Sequence, residues 1–444
     1  MCSEILGDVM RIRASVIAAA SVLAMAAPQL AFAQAGGGGP AVQEVTDSFF
    51  ARDRNTSVRE RPRPDYQARG VLAGAFTIFP RVTFDAELND NIYAGPSTLE
   101  EGDTVFRIRP EVVVNSGWSV HQLGAYARAN FNRFAENETE NTDEYALGAN
   151  LRLDVVRGSN IYGGVDYQSL TEPRTAPTSP VGTVRPTEYD LFTANIGGVH
   201  EFNRLRVSGR ADFSEYDYDN NVLRNGTPLL QDDRDRDMTT VAGRAEYAVS
   251  PATAFFVAGR WNKRDYRLPV GADGFNRDSD GYAVTAGVNF DISAVMRGEL
   301  EVGYLDQDYV DARLPGIDGA AVAGRIEWFP TELTTLTFNV SRSVEEATVA
   351  AASGFLSTGG GIAVDHELLR NVLLNASLSY TEDKYRGVDR RDKRTAAALG
   401  GSYMMNPWAG LNLTYSYYKQ NSSGLLGSTD YTVNKLLLAL ILQL

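Results

Sequence analysis

One pattern constrains this chain more than any other: apolar and polar residues alternate with period two, in segments of about ten residues, from Phe76 to the last residue. Phe76, Ile78, Val82, Phe84, Ala86 and Leu88 fall on one face, opposed by Thr77, Arg81, Thr83, Asp85, Glu87 and Asn89. Leu205, Val207, Ala211 and Phe213 oppose Arg206, Ser208, Arg210 and Asp212, and Leu336, Phe338 and Val340 oppose Thr337, Asn339 and Ser341. Period two is the signature of a strand with two unlike faces. Beyond the leader no run approaches the roughly 18 apolar residues of a spanning helix, which excludes a helical membrane protein.

Alternation alone fits a soluble sandwich as well as a membrane barrel, so the connections decide. One set is short: Asn115-Ser116-Gly117, Val156-Arg157-Gly158-Ser159, Phe202-Asn203-Arg204, Ser250-Pro251-Ala252-Thr253, Phe329-Pro330-Thr331-Glu332, Leu369-Arg370-Asn371 and Met405-Asn406-Pro407. Between them lie long polar stretches such as 136–143, 171–187, 217–237, 264–280, 309–318 and 384–393. Strict sorting of loops by length belongs to outer-membrane barrels, with short periplasmic turns and long external loops. The fold expected is all-β: a transmembrane antiparallel up-and-down β-barrel of about 18 strands over residues 71–444, with both termini in the periplasm. An even count closes the sheet, and closure matters because each unpaired backbone group in lipid costs several kcal/mol. The row Leu436, Leu438, Leu440, Leu442 and Leu444 marks a last strand whose one face meets lipid.

The N-terminal part reads differently. Arg11 and Arg13 precede an apolar stretch from Val16 to Leu30 and the small-x-small site Ala31-Phe32-Ala33, so residues 1–33 are expected to be a signal peptide cleaved before Gln34. Glu4 and Asp8 suit a signal peptide poorly, which makes Met10 an alternative start. Residues 34–70, with the glycines 36–39 and Arg61-Pro62-Arg63-Pro64, read as a flexible periplasmic segment. The single cysteine, Cys2, lies upstream of the cleavage site, so a mature chain has no thiol for a disulfide, a nucleophile or a metal.

If the apolar faces meet lipid, the opposite faces line a lumen, where charge is tolerated only with water or a partner. The candidate pore-lining residues are Arg81, Asp85, Arg107, Arg109, Glu111, Arg128, Arg152, Asp154, Asp166, Arg210, Asp212, Arg244, Glu246, Arg260, Glu299, Glu301, Arg325 and Glu327. Two roles are open to them: pairing across neighbouring strands to stiffen the wall, or setting the selectivity of a hydrated pore. Tyr304, Trp328, Trp408, Tyr415 and Tyr417 lie near strand ends, where interfacial girdles form.

Other chemistry finds little support. The net charge of −14 argues against nucleic acid, whose phosphates need clustered Lys and Arg. The acidic runs 232–237 and 136–144 lack the register of a calcium loop and read as solvated surface, suited to bridging lipopolysaccharide through divalent ions. The three histidines, His121, His200 and His366, sit near expected periplasmic turns, and no nucleophile elbow, zinc pair or phosphate loop is present. No enzyme activity, metal or cofactor is expected.

Phe84-Asp85-Ala86-Glu87-Leu88-Asn89-Asp90-Asn91-Ile92-Tyr93, followed by Asp103-Thr104 and Arg109-Pro110, resembles the opening of the β-barrel porin 2 family, as do Glu172-Pro173-Arg174 and Tyr216-Asp217-Tyr218-Asp219. The resemblance spans roughly residues 71–444 and implies an outer-membrane barrel of a Gram-negative bacterium, a family without an established catalytic set. It implies a porin-like diffusion channel or the outer-membrane conduit of an exopolysaccharide-export system. The alternative is a structural or adhesive barrel whose loops bind glycans or cell-envelope partners. Expected partners are outer-membrane lipid and lipopolysaccharide, polysaccharide-export proteins, and the barrel-assembly machinery, although the chain ends on Leu444 where many such barrels carry an aromatic residue.

Overall fold

The computed structural model describes residues 56–292 and 295–444; the expected signal peptide and residues 34–55 lie outside the described residues. Its frame is 18 long antiparallel strands. They are β1 Phe76–Asn89, β2 Asp103–Ser116, β3 Gln122–Phe134, β4 Thr142–Val156, β5 Ser159–Thr171, β6 Glu188–Phe202, β7 Leu205–Tyr218, β8 Arg236–Ser250 and β9 Thr253–Tyr266. The second half comprises β10 Ser279–Ile292, β11 Met296–Tyr309, β12 Ile317–Thr331, β13 Thr334–Glu345, β14 Gly354–Leu369, β15 Val372–Arg386, β16 Arg391–Asn406, β17 Ala409–Ser423 and β18 Tyr431–Gln443.

Each strand pairs with its sequence neighbours, and β18 returns to β1 with Arg81 opposite Gln443 and Asn89 opposite Lys435, which closes the barrel. Below Arg81 the first strand has no partner in β18. There Val71–Ala73 folds back onto Phe76–Ile78, and the Gly70 N–H donates to the Leu444 carbonyl at 3.1 Å, so the seam is covered. The short turns gather at one end of the barrel, the turn end, and the long connections at the other, the loop end. Tight turns ask for left-handed backbone, supplied here by Gly158 (φ 76°) and Asn203 (φ 58°).

Period two sorts the side chains as the alternation requires. Leu436, Leu438 and Leu442 are exposed on the outside while Leu437, Ala439 and Ile441 between them are buried within the barrel. Phe84 and Leu88 point outward against inward, buried Asp85, Glu87 and Asn89. The described residues form several small buried clusters rather than one apolar core. Three of these buried apolar clusters, Leu305-Ile317-Ala321-Leu356, Ala347-Ala352-Phe355-Tyr385 and Leu191-Tyr216-Tyr218, sit inside the loop-end half, while Ala248 and Ala254 meet at the turn end. No helix among the described residues is long and apolar enough to cross a membrane.

Two expectations are corrected. The segment 34–70 reads as flexible, yet within it residues 57–63 pack against the inner wall: Val58 is fully buried and Arg63 is 4% exposed. The arginines that mark it as polar linker are held by wall carboxylates. The run 232–237, read as solvated, places Arg234, Asp235 and Arg236 in the interior, and Glu140 of the other acidic run is likewise buried. Interleaved arginines and carboxylates neutralise each other there, which makes burial affordable.

Candidate functional site, a charged lumen with two covered mouths

All 18 candidate residues lie on the interior-facing parity of their strands. On β1 and β2, Arg81 pairs with Glu111, Arg109 with Asp85 at 2.7 Å, and Arg107 with Glu87 at 2.9 Å. Arg128 on β3 stands opposite Glu111 and donates to Gln168 at 3.4 Å. The Tyr126 hydroxyl donates to Asp166 across the intervening strand, over Gly148, where any side chain would collide with both. Arg152 meets Asp154 at 2.9 Å and Arg210 meets Asp212 at 2.7 Å, each along its own strand.

The longest reach belongs to Arg244 on β8. It lies over the Phe256 ring at 3.5 Å, binds Glu246 at 2.7 Å, and makes two hydrogen bonds to Glu299 on β11 at 2.7 and 2.8 Å. Gly287 beneath Phe256 leaves room for that ring. Glu301 accepts from Thr285 at 2.8 Å, and Arg325 donates to Glu327 at 2.7 Å. Arg260, on β9, is exposed toward the interior. Pairing is thus the rule along the wall, yet the middle of the barrel is not filled: the side chains of Arg325 and Arg109 remain 67% and 45% exposed although they face inward.

The loop-end mouth holds a polar core that sequence reasoning passed over. Arg234 makes two hydrogen bonds to Glu172, at 2.9 and 3.2 Å, which also accepts from the Thr178 hydroxyl at 2.6 Å. Glu346, from the β13–β14 connection, faces Arg234 at 4.0 Å and Arg236 at 3.0 Å. Arg234 stacks over Tyr218 at 3.9 Å and Arg236 over Tyr216 at 4.3 Å. Arg174 clamps Glu140 with bonds of 2.6 and 3.0 Å. The loop 172–187 also reaches the far side of the mouth, since its Thr175 carbonyl accepts from the hydroxyl of Tyr431 on β18 at 3.0 Å and its Thr178 carbonyl from Thr348 in the β13–β14 connection at 3.3 Å. A signal was present: Glu172-Pro173-Arg174 and the Tyr216–Asp219 run, quoted above for their family likeness, supply this core.

The aromatic residues divide by parity. Tyr304, Trp328 and Tyr415 are exposed outside the wall, Tyr417 shares the outward parity of Tyr415, and Trp408 is exposed in the turn before β17. Tyr216, Tyr218, Tyr385 and Tyr431 point inward and are buried at the loop end. The histidines occupy the turn end: His200 contacts Ser159, His366 contacts Thr334 at 3.0 Å, and His121 accepts from the Asp154 N–H at 3.2 Å. Among the described residues no group of side chains is placed to hold a metal ion.

A family model described as "Putative beta-barrel porin 2" matches residues 63–444. The chain belongs to that family. The match takes in every strand of the porin-family barrel, and the fold and outward apolar face place it in a Gram-negative outer membrane. No match was found among curated proteins. Solved structures of similar fold include the siderophore receptor PirA from Pseudomonas aeruginosa, at 8% identity and TM-score 0.45, covering 83% of this chain and 80% of that one. The outer membrane protein opdK from Pseudomonas aeruginosa is 13% identical with TM-score 0.45, covering 83% of this chain and 99% of that one.

Proposed function

We propose that this porin-family barrel is a passive diffusion channel, with its turn end and both termini facing the periplasm and its long loops facing outward. One observation carries the reading: Arg325 faces the interior yet keeps 67% of its side chain accessible, so water reaches the middle of the lumen. Barrels of 16–18 strands are wide enough for an aqueous passage. Charges of both signs, neutralised along the wall, give solutes a hydrated path without a strong field of one sign. A conduit for exported polysaccharide is a narrower form of the same pore and rests on the family resemblance alone.

The loop-end core favours a second reading. Contacts from 172–187 to Tyr431 and Thr348, with the Glu172–Arg234–Glu346 ion pairs, span the outer mouth. A barrel stitched in this way also suits a structural or adhesive role. Planar-bilayer conductance of the purified, folded protein separates the two. Stable ion conductance supports the channel, and a folded barrel that conducts nothing supports the structural reading.

A further inference from the structure

Residues 57–63 carry Arg59, Arg61 and Arg63 and lie against the inner rim of the turn end as a compact turn, closed by the Arg61 N–H donating to the Ser57 carbonyl at 3.1 Å. The rim answers each of them. Arg59 binds Asp365 at 2.8 Å, Arg61 binds Glu367 at 3.2 Å, and Arg63 binds the same Glu367 at 2.7 Å. Arg63 also donates to the Arg370 carbonyl at 3.2 Å, and Arg61 to that of Glu332. In return Arg297 of the wall binds Glu60 at 2.7 Å. The backbone is gripped as well, because the N–H of the fully buried Val58 donates to the Thr335 hydroxyl at 3.0 Å.

The arrangement has the parts of a peptide complex: a buried apolar anchor, a backbone hydrogen bond, and charge pairs on both sides. Asp365 and Glu367 sit two residues apart on one strand face, so without the strap two carboxylates of like sign would stand together in the barrel mouth. The family match begins only at Arg63, so most of this segment lies outside the family's shared part.

We propose that the turn-end rim is a binding site for a turn-forming arginine-rich peptide, filled in cis by residues 57–63, and that its occupancy both narrows this mouth and cancels its negative charge. The effect on permeation rests on the channel reading above; the binding does not. Release of the strap opens the mouth and leaves Asp365 and Glu367 facing the solute path, which draws cations.

The test uses the full chain with Cys2→Ser and a Val58→Cys reporter, alone and with Arg59→Gln, Arg61→Gln and Arg63→Gln together. In the parent the buried thiol should react slowly with a water-soluble maleimide. The triple variant should react at least about tenfold faster, with larger single-channel conductance and a reversal potential moved toward cations. A synthetic peptide of residues 56–66, added at the turn end, should restore the parent conductance, and the same peptide with Gln for Arg should not. Asp365→Asn with Glu367→Gln, a second variant in case the first folds poorly, should release the strap equally but move the reversal potential the other way. Unchanged labelling in both folded variants would overturn the binding site. Faster labelling with unchanged conductance and selectivity in a conducting barrel would overturn its role at the mouth. Faster labelling in a barrel that never conducts would support the binding site and overturn the channel reading instead.

Discussion

Arg234 and Glu172, 62 residues apart, meet in a pair of hydrogen bonds at the loop-end mouth, and their side chains are only 6% and 5% exposed. Removing one partner of a buried pair strands the other charge, at a cost of about 3–5 kcal/mol. Arg234→Ala should therefore loosen the outer loops while the strands stay intact. Limited proteolysis should show new cleavage within 172–187 and 219–235 with unchanged heat-modifiability on gels. In a conducting barrel the same variant should raise conductance.

Asp235, next to that arginine, has a pH signature. Burial first, reinforced by Asp217 and Asp232, pushes its carboxyl up to about 6, against the Tyr218 N–H and Arg267, which favour the charged form. A carboxyl raised in the folded state binds its proton more tightly there than in the unfolded chain. Its contribution to loop stability is thus greatest below the ordinary value of 3.8 and is lost as pH rises to about 6. Hydrogen exchange of the 219–235 amides should show protection falling across that window. Asp235→Asn, which keeps an oxygen to accept the 2.7 Å bond from Tyr218, should flatten the profile.

The lipid face is tested by Leu438, 51% exposed on the outside of β18, and by Phe338 on β13. Arg at either position should destabilise the barrel by about 2–4 kcal/mol near the bilayer midplane. Asn339→Arg, one residue from Phe338 but facing the lumen, should cost far less. Denaturant titration in lipid vesicles measures all three, and equal losses would contradict the face assignment.

Arg244 and Glu299 join β8 to β11 across two intervening strands. Arg244→Ala should cost about 1–3 kcal/mol, since Glu246 and Glu299 lose a shared charge-assisted donor. A double-mutant cycle with Glu299→Ala should return a coupling of about 0.5–3 kcal/mol. Additive losses would show that the brace contributes no more than two independent contacts.

Arg260 and Arg325 are exposed to the interior. Replacing both with Gln should raise cation preference, because fixed charge in a confined passage attracts its counter-ions. Reversal potentials under a salt gradient measure the change after folding is confirmed.

What this sequence determined by itself was parity. Whether Asp85 or Phe84 faces the lumen follows from a backbone that turns successive side chains to opposite sides, a local property that any ten-residue window displays. The strand number followed from the same windows, and the sorting of short turns from long loops followed from the lengths of the stretches between them. The identity of each partner did not. Arg210 finds Asp212 on its own strand, but Arg244 finds Glu299 on another, and nothing in the spacing of Arg244 announces it. That choice belongs to the register between strands and to the curvature that brings separated strands within reach inside a closed wall. The same holds at the mouths, where Arg59, Arg63, Arg174 and Arg234 look like solvated loop charges until closure sets Asp365, Glu367, Glu140 and Glu172 before them. Period two is written into neighbouring residues, whereas a pair between charges 62 or 304 residues apart exists only once the barrel has closed.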